Sequence, residues 1–344
     1  MHAPDGFYSD SLCLVMDLAC AGVLTYSLKK IWRQINTPEV LLASSVGAFC
    51  FALEMANFEV TRGSSCHFMG GIFASIVLGP YLATLVMTLA HFIQVFIFQD
   101  GGIMALGPNL VTIVVVSTFG GYYLYFQLKN LVIEPYGYYI SAFLSAWLTL
   151  LITSLTVCGM LSVCGIEKFS ATISPMLGPH VVVGITEGVL TVLLIMGIQA
   201  LSAGHPPDPQ ETAPRSTRKV AWALLGMALL VSLVISPFAS RSAEGLKVFA
   251  LNRIYLRSHK IVIPYQAPVP NYHLPGVRNQ KMAKILGGTL GTLLTFFFCF
   301  LVCSAIREKA GHTAGKEPAD LELHYRQHDQ DWQDGQIRPD RQHT

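Results

Sequence analysis

The chain has 344 residues, 52% hydrophobic and only 13% charged, with a formal net charge of +2. Soluble domains carry about 25% charge, so this balance excludes an ordinary soluble enzyme and points to an integral membrane protein. No basic patch is interleaved with aromatic residues, which excludes nucleic acid as a partner. Residues 69–99 and 101–128 hold no Asp, Glu, Lys or Arg. Long apolar runs of this kind read as spanning helices, because lipid leaves backbone polar groups no partners but their own. The period-two alternation of a membrane β-barrel is absent.

Taken in order, the first predicted span covers 11–30 and ends at Lys29, Lys30 and Arg33. The second covers 38–58, and a short third, 67–78, stops at Gly79-Pro80. The fourth is 81–98 and the fifth 107–128, after the turn-like DGGIMALGPN. The third is too short to cross a hydrocarbon core of about 30 Å alone. It reads either as a broken or buried helix, of the kind that lines substrate sites, or as half of one Pro-kinked helix. The sixth span is placed at 137–160 and the seventh at 178–201. A Pro- and charge-rich linker, 204–219, follows, then an eighth span at 220–239, a mixed segment to 281 and a ninth span at 284–306. The polar tail, 307–344, lacks the apolar content for a core of its own.

The organisation expected is therefore a membrane domain over 1–203, a cytoplasmic linker, a two-helix domain over 220–306 and a polar cytoplasmic tail. Lys29, Lys30 and Arg33 place the end of the first span in the cytoplasm. Nine alternating crossings then put the N-terminus outside and the C-terminus inside. The basic residues of 240–281, Arg241, Lys247, Arg253, Arg257, Lys260, Arg278 and Lys281, fall outside and run against that rule. The start, MHAPDGFYSD, has Asp5 and Asp10 and no basic stretch, so it is expected to stay on the mature chain rather than act as a cleaved signal. Six of the eight cysteines (Cys13, Cys20, Cys50, Cys158, Cys299, Cys303) sit in apolar segments and read as small hydrophobes.

His2 is the most informative polar residue. The α-amine of Met1, the amide nitrogen of His2 and its imidazole form a fused chelate for one divalent metal, and nitrogen donors in a plane suit Ni(II) or Cu(II), with Co(II) also admitted. The plain alternative is an ordinary exposed histidine. His67, expected on the same outer side, offers a fourth nitrogen; otherwise it is a helix-start residue bonded within a loop. Cys66 is set aside, because a thiolate would hold a transported metal too strongly. His91, with Gln94 nearly one turn on, lies within the fourth span and reads as a functional polar pair or a satisfied helix–helix hydrogen bond. Asn109 supports a metal-ligating histidine or caps a helix. His180 and Glu187 lie seven residues apart on roughly one face, a buried pair whose plain account is structural. Asp17 and Glu54 pose the same question nearer span ends. Gly184/Gly188 and Gly287/Gly291 have helix-packing spacing, the second pair fit to dock the ninth span on the main bundle. No phosphate-cradling loop, zinc-protease motif or serine elbow occurs.

Read together, MHAPDGF, GSSCHFMGG, LGPYLATLVMTLAHFIQVFIFQDGGIMALGPN and MLGPHVVVGITEGVLTVLL resemble the substrate-capturing membrane component of energy-coupling factor cobalt/nickel transporters, over about 1–200. Residues 220–306, through SPFASRSAEGLKVFA and PVPNYHLPG, resemble more loosely its small two-helix companion. The resemblance implies an all-α, seven-helix capture bundle with its N-terminus inserted, plus two further transmembrane helices. It implies metal ligands Met1, His2 and His67, with Asn109 near them and His180 and Glu187 within the bundle. It also implies Ni²⁺ or Co²⁺ as transported substrate, no cofactor, and partners comprising a coupling transmembrane subunit and two cytoplasmic ATPase subunits in a bacterial or archaeal cell membrane. The chain departs from the family at Cys66 (commonly glycine), Pro108 (alanine), Thr112 (asparagine) and His91 (apolar). The rival expectation is an ion-coupled secondary transporter of divalent metal with His91 and Glu187 as relay; a metal-sensing membrane enzyme or receptor is a third.

Overall fold

Charge-free apolar runs become helices here because only helices satisfy their own backbone in lipid. The computed structural model describes residues 2–32, 35–61, 64–132, 136–202, 217–238 and 265–314. The helices are α1 (Asp10–Ile31), α2 (Thr37–Met55), α3 (Gly71–Leu78), α4 (Pro80–Phe98) and α5 (Leu106–Lys129). They continue with α6 (Gly137–Val163), α7 (Phe169–Leu201), α8 (Thr217–Phe238) and α9 (Gln280–Ala314). Eight of them are long and apolar enough to cross a membrane; α3 is not. A short antiparallel hairpin, β1 (Phe58–Thr61) and β2 (Ser64–Cys66), joins α2 to α3 with Phe58 opposite Cys66.

Several boundaries move. The third span is helical only from Gly71, so His67 lies in extended chain rather than at a helix start. The seventh begins at Phe169, nine residues earlier than expected, and runs through Pro175 and Pro179. The ninth begins at Gln280. Most of the linker 204–219, most of the segment 240–281 and most of the tail 307–344 lie outside the described residues, as does Met1.

Gly79-Pro80 is not a kink in one long helix. Gly79 adopts φ 75°, ψ 158°, a conformation closed to other L-residues, and Pro80 restarts the helix where a missing N–H costs nothing. End to end, α3 and α4 would hold His67 and His91 about 28 Å or more apart. Their ring centroids instead lie 5.0 and 5.3 Å from that of His2, so α3 and α4 must fold back alongside one another. Thr118 of α5 ties the turn by accepting from Ser75 Oγ at its carbonyl (3.1 Å) and pairing its hydroxyl with Thr84 Oγ1 (2.6 Å). The result is a short helix buried among its neighbours, with Gly71 to Ile76 all buried.

Small residues set the packing elsewhere. A Cβ on Gly184 or Gly188 would stand 2.6 or 2.7 Å from Trp147 or Phe143, so both glycines let α7 close on α6. On α9, a Cβ at Gly291 would meet Phe51 Cζ at 2.3 Å, and one at Gly287 would meet the Tyr272 carbonyl oxygen at 2.1 Å. Gly291 thus seats α9 on α2 and α4, and Gly287 seats it on the Tyr272 backbone, close approaches that the spacing predicts. All eight cysteines are unbridged and seven are buried.

Candidate metal-capture site

The chain's first residues are drawn into the bundle between the end of α4 and the start of α5. Asn109 brackets Ala3: Ala3 N–H donates to Asn109 Oδ1 (2.8 Å), and Asn109 Nδ2 donates to the Ala3 carbonyl (3.0 Å). Gly102 N–H donates to the same carbonyl (2.9 Å), and Met104 N–H donates to Asp5 Oδ1 (2.7 Å). A side chain at Gly102 would strike Asp5 and Pro4 at 2.3–2.7 Å, so glycine is what lets the two segments touch. Asn109 thus neither caps a helix nor bonds a histidine; it fixes the main chain next to His2. From Asn109 onward, α5 widens to i→i+5 bonding over Leu110–Gly120, an irregularity that often accompanies functional sites.

This seating buries His2 completely. Its ring lies 5.0 Å from that of His67 at 27° and 5.3 Å from that of His91 at 9°. His67 is buried too, and its Nδ1 bonds the Phe68 carbonyl (2.9 Å), so the neutral ring carries its lone pair on Nε2. The stretch after His67 is held by Glu187: Met69 and Gly70 N–H groups donate to its two oxygens at 3.2 and 3.0 Å. This corrects the sequence reading of Glu187 as paired with His180 or a hydroxyl. The carboxylate satisfies two buried amides of a turn, a demand no side-chain pattern announces. His180 instead bonds the Met176 carbonyl through Nδ1 and approaches Cys66 Sγ at 3.9 Å through Nε2.

His91 and Gln94 do bond each other, within one helix (Nδ1 to Oε1, 3.0 Å), and Gln94 Nε2 donates across to Glu54 Oε2 (2.7 Å). Two residues escape a reading of the sequence. Asp100 places Oδ1 3.7 Å from His2 Nδ1, and its Oδ2 accepts from the Tyr272 hydroxyl (2.8 Å). Tyr272 stacks on Phe98 (4.6 Å, 18°) within a strap anchored by Val269 N–H to the Ile97 carbonyl (3.0 Å) and by Tyr265 to the Phe96 carbonyl. The only available signal was the Asp in DGG, which reads equally as a turn residue. Cys66 ends β2 and, like His67, lies outside any helix. Pro108 is buried, and Thr112 bonds its own helix at the Pro108 and Asn109 carbonyls rather than the site.

Three imidazoles and one carboxylate thus gather beside a main chain that is itself rich in nitrogen donors. Among the described residues, no three His, Cys, Asp or Glu side chains converge enough to hold a metal by themselves.

Among the described residues, eight helices long and apolar enough to span a membrane, together burying the residues around His2 in a histidine cluster, define a multi-pass integral membrane protein with an internal polar site. Residues 2–203 match the family described as the cobalt uptake substrate-specific transmembrane region, and the chain belongs to that family, with a PDGLE domain matched at 218–308 behind it. It is 28% identical over 305 residues to a putative fused nickel transport protein of Archaeoglobus fulgidus, covering 87% of this chain and 97% of that one. It is 36% identical over 211 residues to a putative metal transport protein of Haloquadratum walsbyi, covering 60% and 92%. A crystal structure of a transition metal transporter superposes with a TM-score of 0.52 at 29% identity, covering 59% of this chain and 94% of that one.

Proposed function

We propose that the chain is the substrate-binding component of an ATP-dependent nickel/cobalt uptake transporter and captures the metal at the outer face. The observation that carries this reading is the burial of His2 in ring contact with His67, which brings together two histidines 65 positions apart. In the capture geometry, the Met1 amine and the His2 amide nitrogen, its proton released to solvent, would close a five-membered ring on the metal. The amide nitrogen and His2 Nδ1 close a six-membered one, and His67 supplies the fourth nitrogen. Four nitrogens in a plane favour Ni(II) slightly over Co(II). The Asp100 carboxylate beside Nδ1 adds negative charge where a dication would sit. Nickel or cobalt is the transported substrate, and the proposal includes no cofactor.

The chain is a transport component and not an enzyme on this reading. A coupling transmembrane subunit and two cytoplasmic ATPase subunits would turn hydrolysis into reorientation of the bundle, with metal released inside as the N-terminal chelate opens. The N-terminus lies outside and the C-terminus in the cytoplasm of a bacterial or archaeal cell membrane. Because the buried α3 runs back against α4 and so returns the chain between α2 and α4, the basic ends of α1 and α5, Lys29, Lys30 and Lys129, fall on one side and support that orientation. A proton-coupled mechanism finds less support, because the Glu187 carboxylate is occupied by two backbone amides.

The test is metal content and binding isotherms for the purified chain, an N-terminally extended chain and His2→Ala. Extension turns the amine into a peptide nitrogen, so both variants are expected to lose at least about a hundredfold in affinity, or about 2.8 kcal/mol. Unchanged binding after both changes refutes the capture site.

A further inference from the structure

The His91–Gln94–Glu54 chain is left unused by a four-nitrogen site made from Met1, His2 and His67. Gln94 Nε2 donates to Glu54 Oε2, so Gln94 Oε1 is the acceptor and His91 Nδ1 must carry the hydrogen. This sets the tautomer: the lone pair of His91 is on Nε2. That atom is fully buried and has no hydrogen-bond partner among the described residues. A leucine would fill this place in the helix without any such cost, whereas a buried acceptor left unsatisfied disfavours the fold. Histidines that bind metal usually pass their other N–H to an acceptor that orients the ring. Here a carboxamide from α4, itself held by a carboxylate from α2, plays that part.

The position of the ring says where the donor acts. His91 and His2 lie in nearly parallel planes, 9° apart with centroids 5.3 Å apart. A metal bound to His2 Nδ1 lies in the plane of the His2 ring. Both neighbouring rings stack on that plane, so planar capture needs His67, already turned by 27°, to swing into it, while His91, nearly parallel, stands off it toward an axial position. The geometry points to His91 as a further residue of the capture site, its Nε2 dictating an axial donor on the bound metal. The donor is either Nε2 itself, after a small tilt of the ring, or a metal-bound water that Nε2 holds. The inference rests on the N-terminal capture site proposed above. It makes the loaded site more than four-coordinate, a geometry that narrows the advantage of nickel over cobalt.

The experiment uses the purified full chain loaded with nickel or with cobalt. Planar four-coordinate Ni(II) is diamagnetic, while Ni(II) with an axial donor is expected to be paramagnetic. The native nickel-loaded chain is expected to be paramagnetic; a diamagnetic one overturns the inference without any variant. His91→Phe keeps a flat ring against His2 and removes the lone pair. It is expected to make bound nickel diamagnetic and to weaken cobalt binding about tenfold. Unchanged magnetism and cobalt affinity in His91→Phe overturn the inference as well. In the native cobalt-loaded chain, line broadening by ¹⁷O-water identifies water as the donor, and its absence identifies the imidazole. The N-terminally extended chain separates the two proposals. If extension abolishes binding while His91→Phe changes nothing, the capture site stands and the axial donor falls; if extension changes nothing, the capture site falls.

Discussion

Asn109→Ala isolates the seating of the N-terminal segment from the metal ligands themselves. The substitution removes both hydrogen bonds to Ala3, at 2.8 and 3.0 Å, in a buried setting. The two losses are unequal. The Ala3 carbonyl keeps the Gly102 N–H at 2.9 Å, so it remains satisfied. The Ala3 N–H loses the partner it has in the structure, and leaving a buried donor unpaired costs about 1–3 kcal/mol. Adding about 1 kcal/mol for the second bond gives roughly 2–4 kcal/mol against the seated segment. At 1.4 kcal/mol per decade, nickel affinity should fall about thirtyfold to several-hundredfold. Global stability should hardly move, because α1 to α9 keep their contacts. The assay pairs nickel isotherms with hydrogen exchange of residues 2–7 and thermal unfolding. Affinity within twofold of the native chain, with unchanged exchange over 2–7, would refute the argument that Asn109 seats His2.

Glu187→Ala should leave the Met69 and Gly70 amides unpaired, displace His67 and weaken nickel binding at least about tenfold; an unchanged isotherm would show that the turn does not position His67. Gly291→Leu places its first side-chain carbon where Phe51 Cζ stands 2.3 Å away, and should cost about 1–3 kcal/mol or more, seen as a lower melting temperature and loss of α9–α2 crosslinks. Tyr272→Phe removes only the hydroxyl bonded to Asp100 and should weaken nickel binding several-fold, measured by isotherms beside Asp100→Asn. In the double variant Tyr272→Phe should add nothing further if it acts through Asp100. Binding should also weaken in acid, by about tenfold per pH unit for each proton that the metal must displace from amine or imidazole, and a pH-independent isotherm would exclude nitrogen ligands.

Much of the fold is legible because membrane helices advertise themselves locally. The charge-free runs 69–99 and 101–128 contain α3, α4 and nearly all of α5. Gly287 and Gly291 announce the docking of α9 for an equally local reason: a missing side chain permits close approach wherever the partner is. The fold-back at Gly79-Pro80 stays ambiguous in sequence, since a proline kink and a reversal use the same residues. Only the positive φ at Gly79 decides it. Within the site, His2 stands out because its imidazole and amide adjoin the Met1 amine, and His67 because it is expected on the same outer side. Asp100 and Tyr272 do not, because their meaning is a contact across 172 positions. Glu187 is visible as a costly charge, but its partners are backbone amides, which carry no sequence signature.

The bracket that Asn109 places around Ala3 also orders events during synthesis. Residue 3 leaves the ribosome well before its partner, which stands 106 positions later. The segment that carries His2 therefore waits, unseated, until α4 and the start of α5 have entered the membrane. The Asp100 carboxylate waits longer still, for Tyr272. A chain arrested after α7 would hold His2, His67 and His91 and still lack the strap that clamps Asp100. The finished histidine cluster is thus a mark that translation and insertion have run nearly to the end, and half-made chains lack a completed site.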